Sequence, residues 1–279
     1  MEIRLTLRSS FLLALLVALF ALAAPAPAQT ATAAGADSLH MVRHEQYFGI
    51  GQTNSLDTYL SPVEYVGPSL FLLHRTERTA RWGKDRIAVQ ATYSGYAAMP
   101  RSQADNDLAM EAGLNAAVAW LYRFQPVGRW AFALGGMAEA ESGFTYLVRG
   151  GNNPAQGRLA VHLGMTGRVV RPFRVGRQQW EARAQVDVPL VGAMFTPNYG
   201  QSYYEIFSLG HYDKNIRATL PWNAPSARLT ATLTLPLWGA RLSLGYNGEA
   251  RQSHINQLKH HTWNHHFIIG YVRTLRLLR

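Results

Sequence analysis

The feature that most constrains the fold of this 279-residue chain is a long, strict alternation of apolar and polar residues. In residues 108–124 every even position is apolar, while Glu111, Asn115 and Arg123 are among the odd ones. The same period of two recurs over residues 130–141, 158–169, 180–190, 228–237 and 241–251. Alternation of this kind is typical of a β-strand with one apolar face. Runs this long match the roughly 9–11 residues that cross a bilayer at a tilt, whereas strands of soluble sandwiches are shorter.

After residue 40 no stretch approaches the 18 or so consecutive apolar residues of a transmembrane helix. A closed barrel is the other architecture that can span a membrane. The sequence therefore predicts an all-β fold, a closed antiparallel transmembrane β-barrel of about ten strands, with eight or twelve also open.

Short and long connections between the predicted strands alternate along the chain. Tight turns are expected at 126–129, 175–177 and 237–239, and longer connections at 148–157, 194–225 and 252–262. Outer-membrane barrels have short periplasmic turns and long external loops. The barrel is predicted to occupy residues 43–279, with a first strand at 43–51 and a long external loop at 194–225.

The first 28 residues have the pattern of a cleaved secretory signal. Arg4 and Arg8 precede an apolar run from Phe11 to Ala24, and Ala26-Pro27-Ala28 provides a small-residue cleavage site. Residues 29–42 are predicted to form a flexible N-terminal leader. These features predict a location in the bacterial outer membrane after signal cleavage.

The net charge of +10 and the absence of cysteine limit the classes of partner and site. Without cysteine there is no disulfide framework and no thiolate metal site. The arginines are scattered singly rather than clustered on one face, so nucleic acid is not an expected partner. We expect contacts with outer-membrane lipid and, during biogenesis, with the barrel-assembly machinery, and we expect a monomer.

Charged residues on the polar face of the strands should meet inside the barrel, because a lumen of about ten strands is largely filled by side chains. Acids and arginines interleaved there would neutralise one another as a structural network. This predicted lumen network comprises Glu111, Glu139, Glu141, Arg158, Arg168, Glu181, Arg183, Asp187, Arg241, Glu249 and Arg251.

Aromatic residues cluster in two places. One group lies beside the short turns and predicts an interfacial girdle at the periplasmic edge; it comprises Trp120, Tyr122, Phe124, Trp130, Phe132, Trp180 and Trp238.

The second group lies in Met194–Asn215, where six aromatic residues interrupt the alternation. We expect this segment to be ordered and to pack over or into the external mouth, either as a plug or as a surface for a small molecule or glycan. The predicted ligand contacts are Asn198, Tyr199, Gln201, Tyr203, Tyr204 and Glu205.

The segment PNYGQSYYEIF at 197–207, with LDTYLSP at 56–62 and Glu64-Tyr65, resembles a known family. It is similar to an uncharacterised group of Bacteroidetes outer-membrane proteins, domain of unknown function 3316, over nearly all of the mature chain. The resemblance implies a barrel in the outer membrane and no known activity. The chain ends in Leu277-Leu278-Arg279 rather than in the terminal aromatic residue of many such barrels.

Two kinds of chemistry remain as alternatives. Ser202, His211 and Asp213 share one loop and suggest a triad at the rim, although their spacing matches no recognised motif. No cofactor and no metal are predicted; the candidates for a metal would be His260, His261, His265 and His266. The sequence thus favours a structural or ligand-binding barrel, ahead of a narrow pore for small solutes and of an enzyme at the external rim.

Overall fold

The computed structural model describes residues 41–83, 85–151, 153–237 and 239–276. The predicted signal peptide, most of the leader, Trp238 and the last three residues lie outside these ranges. Within them the chain forms twelve strands and one short helix, α1 (Tyr203–Phe207). The strands are β1 (Met41–Asp57), β2 (Tyr65–Thr79), β3 (Ile87–Ala98), β4 (Arg101–Ser102), β5 (Ala109–Arg123), β6 (Ala131–Leu147), β7 (Ala155–Val175), β8 (Gln178–Phe195), β9 (Ile216–Thr219), β10 (Ser226–Leu237), β11 (Ala240–Ile255) and β12 (Leu258–Arg276).

Ten long strands form one closed antiparallel barrel, as the sequence predicts. Each pairs with its neighbour along the chain, and β1 pairs with both β2 and β12, which closes the ring. The two short strands, β4 and β9, pair with the ends of β2 and β8. Among the described residues, no helix is both long and apolar enough to cross a membrane.

The distribution of polar and apolar side chains is the reverse of that in a soluble protein, because the buried side chains are mostly polar. Glycine and proline aside, the buried residues of the described ranges comprise 34 polar or charged and 19 hydrophobic ones. The outward positions carry large exposed apolar side chains, such as Leu114 on β5, Leu163 on β7 and Phe267 on β12. The alternation in the sequence therefore separates a polar lumen from an apolar outer wall.

One end of the barrel, the short-turn end, carries the tight connections. Gly128 and Gly176 have φ values of 62° and 61° there, a conformation that favours glycine. Five of the seven predicted girdle aromatics are exposed on the outer wall at this end: Trp120, Tyr122, Phe124, Trp130 and Phe132.

The opposite end, the long-loop end, corrects several predicted boundaries. The expected long connection at 252–262 is wrong, because β11 and β12 run through it and meet in a two-residue turn. Asn256 and Gln257 both have positive φ, 53° and 63°, as in a type I′ hairpin. β1 extends to Asp57, beyond the predicted end at residue 51. The ten long strands have 12–21 residues and are therefore longer than a bilayer requires.

The strand pairing of β8 and β10 changes toward the long-loop end. β10 pairs with β8 only from Arg228–Asp187 to Thr234–Glu181. Above this seam β8 pairs with β9, and residues 220–225 cross to hydrogen-bond β11 instead.

Candidate functional site

The charged side chains of the lumen form three ion-pair clusters along the barrel axis. The basal cluster lies near the short-turn end and contains six arginines and three glutamates. Its members are Arg43, Glu45, Arg75, Glu77, Arg123, Arg168, Glu181, Arg183 and Arg241. Arg183 is its hub, with its guanidinium 3.0 Å from Glu45 and 3.1 Å from Glu77. The cluster carries a formal excess of three positive charges.

The middle cluster has the opposite balance. It contains two arginines, four carboxylates and one histidine: Arg228, Arg251, Glu139, Glu141, Asp187, Glu249 and His162. Arg228 Nη2 lies 2.8 Å from Glu139 Oε2, and Arg251 Nη1 lies 2.6 Å from Glu141 Oε2. With a neutral imidazole the cluster has a formal excess of two negative charges.

The rim cluster, closest to the long-loop end, consists of Arg158 with Asp57 and Glu111. Arg158 lies 3.1 Å from Asp57 and 3.4 Å from Glu111. Tyr96 and Thr262 donate hydrogen bonds to Glu111 Oε1 at 2.7 and 2.9 Å. One negative charge is in excess here, so the three clusters together are neutral.

Two ion pairs join diametrically opposite walls of the ten-strand ring. Arg183 on β8 reaches Glu77 on β2, and Arg158 on β7 reaches Asp57 on β1, each five strands away in either direction. Between these levels Gln90 and Gln185 exchange hydrogen bonds of 2.8 and 3.2 Å across the lumen. The lumen is therefore bridged at three heights.

Two small cavities border the Arg158–Asp57 bridge. One of about 40 Å³ is lined by Glu141, Arg158, His162, Arg251 and Thr262 among others. The other, of about 10 Å³, adjoins Asp57 and Glu111. The larger has room for about three water molecules and the smaller for about one.

Each of the eleven residues of the sequence-predicted lumen network forms at least one ion pair. Seven further members of the clusters are not among the predicted residues: Arg43, Glu45, Arg75, Glu77, Asp57, Arg123 and Arg228. Five of these lie on β1 and β2, where runs such as Leu70–Leu73 obscure the alternation. The inward positions of Glu45 and Glu77 follow from the same period of two once those strands are aligned.

The connection from Thr196 to Pro225, the loop cap, is ordered by a capped helix. Ser202 is the N-cap of α1, and Ser202 and Glu205 form a capping box. The Ser202 N–H donates to Glu205 Oε2 at 2.7 Å, and the Glu205 N–H donates to Ser202 Oγ at 3.2 Å. The hydrogen bonds from the backbone and hydroxyl of Ser202 lower the pKa of Glu205.

Hydrogen bonds from two tyrosines and a glutamine fasten the loop cap to the barrel and to itself. The Tyr203 hydroxyl accepts from the Gly157 N–H at 2.7 Å and donates to the Gly157 carbonyl at 3.1 Å. The Tyr59 hydroxyl donates to the Gln201 carbonyl at 2.9 Å, and burial raises the pKa of Tyr59 to about 12. Gln201 Oε1 accepts from both Asn198 and Asn215.

The predicted ligand contacts therefore divide into two groups. Asn198, Gln201, Tyr203 and Glu205 are occupied in holding the loop cap together. Tyr199 and Tyr204 are 70% and 66% exposed, and the six aromatic residues do not all pack against the mouth as expected. The exposed apolar set of the loop cap, the aromatic face, comprises Tyr199, Tyr204, Phe207, Leu209, Tyr212, Ile216 and Trp222.

The alternative sites predicted from the sequence are not assembled. Ser202 Oγ donates to Glu205 Oε2 at 2.9 Å, and within the described ranges no hydrogen bond joins it to His211 or Asp213. Among the four late histidines, His260 and His266 point into the lumen on β12 with two inward positions between them, while the other two, His261 and His265, point outward. The four therefore cannot share one ion.

A family profile described as "Protein of unknown function (DUF3316)" matches residues 11–279. The chain belongs to this family. The match covers every strand of the barrel and the loop cap, and it confirms the assignment to domain of unknown function 3316. No curated protein matches the sequence.

Solved structures with similar folds include bacterial outer-membrane proteins. The outer membrane protease OmpT from Escherichia coli has 7% identity and a TM-score of 0.43, and the alignment covers 88% of this chain and 100% of that chain. The beta domain of the Bordetella autotransporter BrkA has 10% identity and a TM-score of 0.42, over 84% and 98%. An outer membrane channel from Pseudomonas putida F1 has 11% identity and a TM-score of 0.33, over 88% and 100%. The likeness concerns the barrel fold and not an activity.

Proposed function

We propose that this DUF3316 chain is an outer-membrane β-barrel with a sealed lumen that binds a ligand through the aromatic face of its loop cap. The observation that carries the proposal is the bridging of the lumen by ion pairs between opposite walls, Arg183–Glu77 and Arg158–Asp57. A continuous water path would have to pass both bridges. The barrel therefore supports a binding role better than a conducting one.

The outer wall supports the outer-membrane location. Large apolar side chains are exposed around it, and girdle aromatics stand at the short-turn end, as in barrels that face lipid. The long connections would face the outside of the cell and the short turns the periplasm.

The aromatic face supports the binding role. Trp222, Ile216 and Tyr199 are each at least 70% exposed, although the loop cap around them is held by an internal hydrogen-bond network. An ordered segment that exposes large apolar side chains is characteristic of a contact surface. Tyrosine and tryptophan rings with polar groups at their edges fit sugar rings, so a surface glycan is the class of ligand that we propose.

Conductance recording in planar bilayers tests the sealed lumen. Purified wild-type protein should insert without regular current steps. Steps of uniform size would contradict the proposal and favour the narrow pore.

Glycan binding to cells that display the protein tests the aromatic face. We expect Tyr199→Ala combined with Tyr204→Ala to abolish binding while the barrel remains heat-modifiable on gels. The matched control is Val63→Ala combined with Val148→Ala, two exposed apolar side chains of other connections at the long-loop end, and it should leave binding unchanged. Undiminished glycan binding by the double variant would refute the role of this face.

A further inference from the structure

We infer that the middle cluster contains a binding site for a divalent transition-metal ion, formed by Glu139, Glu141 and His162. This site is independent of the glycan-binding role of the loop cap. Within the described residues, these three metal-ligating side chains form a group whose ligand atoms all lie within 4.8 Å of one another.

The β-sheet itself brings the three side chains together. Glu139 and Glu141 occupy successive inward positions of β6, and His162 on β7 is the register partner of Glu139. Side chains of paired residues start about 4.5–5.5 Å apart at Cβ. In a tetrahedral zinc site, ligand atoms lie about 3.3 Å apart, given bonds of about 2.0–2.2 Å. Side-chain rotations alone can close the remaining gap.

The incomplete hydrogen bonding of the His162 imidazole is the observation that favours a bound ion. The side chain is 91% buried, since its exposed fraction is 9%, and within the described part of the chain its Nδ1 atom has no hydrogen-bond partner. Glu139 Oε1, at 3.6 Å, is too far for a hydrogen bond. A buried nitrogen without a partner is costly, and a metal ion bound between His162 and Glu139 would satisfy it.

In each of the two carboxylates, Oε2 is the oxygen that contacts an arginine. Arg228 and Asn115 donate to Oε2 of Glu139, and Arg251 pairs with Oε2 of Glu141. The remaining Oε1 atoms are the ones that an ion would use. The carboxylate of Glu139 is thus oriented by outer hydrogen-bond donors, as is common at metal sites, and that of Glu141 by an ion pair.

Charge and space also suit a dication. The middle cluster has four carboxylates and two guanidiniums, so a doubly charged ion would neutralise it. The cavity of about 40 Å³ beside Glu141 and His162 has room for water molecules that would complete the coordination. The cavity is also lined by Met194, Thr219 and Ser226. These residues lie where the pairing partner of β8 changes from β10 to β9, and we expect the ion to enter there. An imidazole ligand favours zinc and its neighbours over calcium and magnesium, which take oxygen ligands.

Zinc titration of the folded, chelator-treated full-length protein tests the inference. We expect one Zn²⁺ per barrel by equilibrium dialysis and a higher unfolding temperature on binding, with no such shift from Ca²⁺. His162→Ala should weaken Zn²⁺ binding more than about 100-fold, since even changes in outer donors cost about 10–100-fold. Glu141→Gln should weaken it as well. His261→Asn combined with His265→Asn, a control for histidines that point out of the barrel, should leave binding unchanged.

X-ray absorption of the zinc-loaded wild-type protein keeps the test decisive if a variant fails to fold. The site requires one imidazole and two carboxylates in the zinc coordination shell. Two or more imidazoles, or the absence of stoichiometric zinc binding, would overturn the inference. In the latter case His162 would serve only as an ion-pair partner of Glu139. Failure here leaves the sealed lumen and the aromatic face unaffected, because neither uses these residues.

Discussion

In the basal cluster six arginines share three glutamates, whereas in the middle and rim clusters three arginines share six carboxylates. Carboxylates are therefore the scarcer ion-pair partner at one end of the lumen, and guanidiniums are the scarcer partner at the other. Near the short turns each carboxylate holds several cations, and near the long loops each guanidinium holds several anions. Removing the scarcer partner leaves the most buried charge uncompensated, which is the costly way to break a buried ion pair.

The largest effect is expected from the loss of a basal acid. Glu77→Gln would deprive Arg123, Arg168 and Arg183 of a shared carboxylate, and we expect a loss of about 3–5 kcal/mol in the free energy of unfolding. Urea unfolding of the barrel in lipid measures it. The matched control is Glu249→Gln, since acids are in excess in the middle cluster, and it should cost less than about 2 kcal/mol. Equal costs would show that charge excess does not decide which partner matters.

The next largest effect is expected when a positive charge is removed instead of a negative one. Arg228→Gln would leave Glu139, Asp187 and Glu249 without their common guanidinium, and we expect a loss of about 3 kcal/mol in the same assay. Arg241→Gln is the control, because arginines are in excess in the basal cluster and the Arg241 side chain is 42% exposed. It should cost less than about 1 kcal/mol. A larger cost for Arg241→Gln than for Arg228→Gln would break the comparison.

A smaller effect is expected in the loop cap, which uses neutral hydrogen bonds instead of ion pairs. Tyr203→Phe removes the hydroxyl that bonds both backbone groups of Gly157, at a cost of about 1 kcal/mol. Limited proteolysis should cut the loop cap faster while the barrel stays intact. Tyr204→Phe alters an exposed ring and should leave the cleavage rate unchanged. Global unfolding of the Tyr203→Phe barrel would mean that the loop cap is part of the barrel's cooperative unit.

The smallest effect concerns pH. The pKa of Glu205 is lowered in the folded loop cap by its hydrogen bonds from Ser202, so the ionised carboxylate stabilises α1 above its ordinary pKa of 4.5. This stabilisation is lost as the pH falls through the lowered value. Proteolysis of the loop cap should accelerate on acidification below about pH 4.5. Glu205→Gln should remove that part of the acid dependence, and an unchanged profile would count against the capping box.

The facing of residues could be predicted from the sequence, but the partners across the lumen could not. The period of two places Glu181 and Arg183 inward without any knowledge of the fold. Their pairing with Arg43, 138 residues away, and with Glu45 depends on which strands stand opposite one another in the closed ring. That arrangement follows from the number of strands and their register, which no local pattern encodes.

Turns and loop contacts were also beyond the local pattern. Asn256-Gln257 forms a tight hairpin turn without the glycine that usually marks one, so the flanking polar residues looked like a loop. In the loop cap the polar residues Asn198 and Gln201 suggested ligand contacts, whereas they bond each other and nearby backbone groups. The S-x-x-E spacing of Ser202 and Glu205 was the available signal of a capped helix.

The closing seam between β1 and β12 pairs Met41 with Arg276, and so joins the two ends of the described chain. Every other seam between long strands connects neighbours along the chain and can form early, but this one can form only after the last strand has been made. Such non-local pairing slows folding, because the chain must lose entropy before the contacts compensate it. Until β12 arrives, β1 and β11 each present an unpaired edge, which makes the incomplete barrel the species most prone to aggregate.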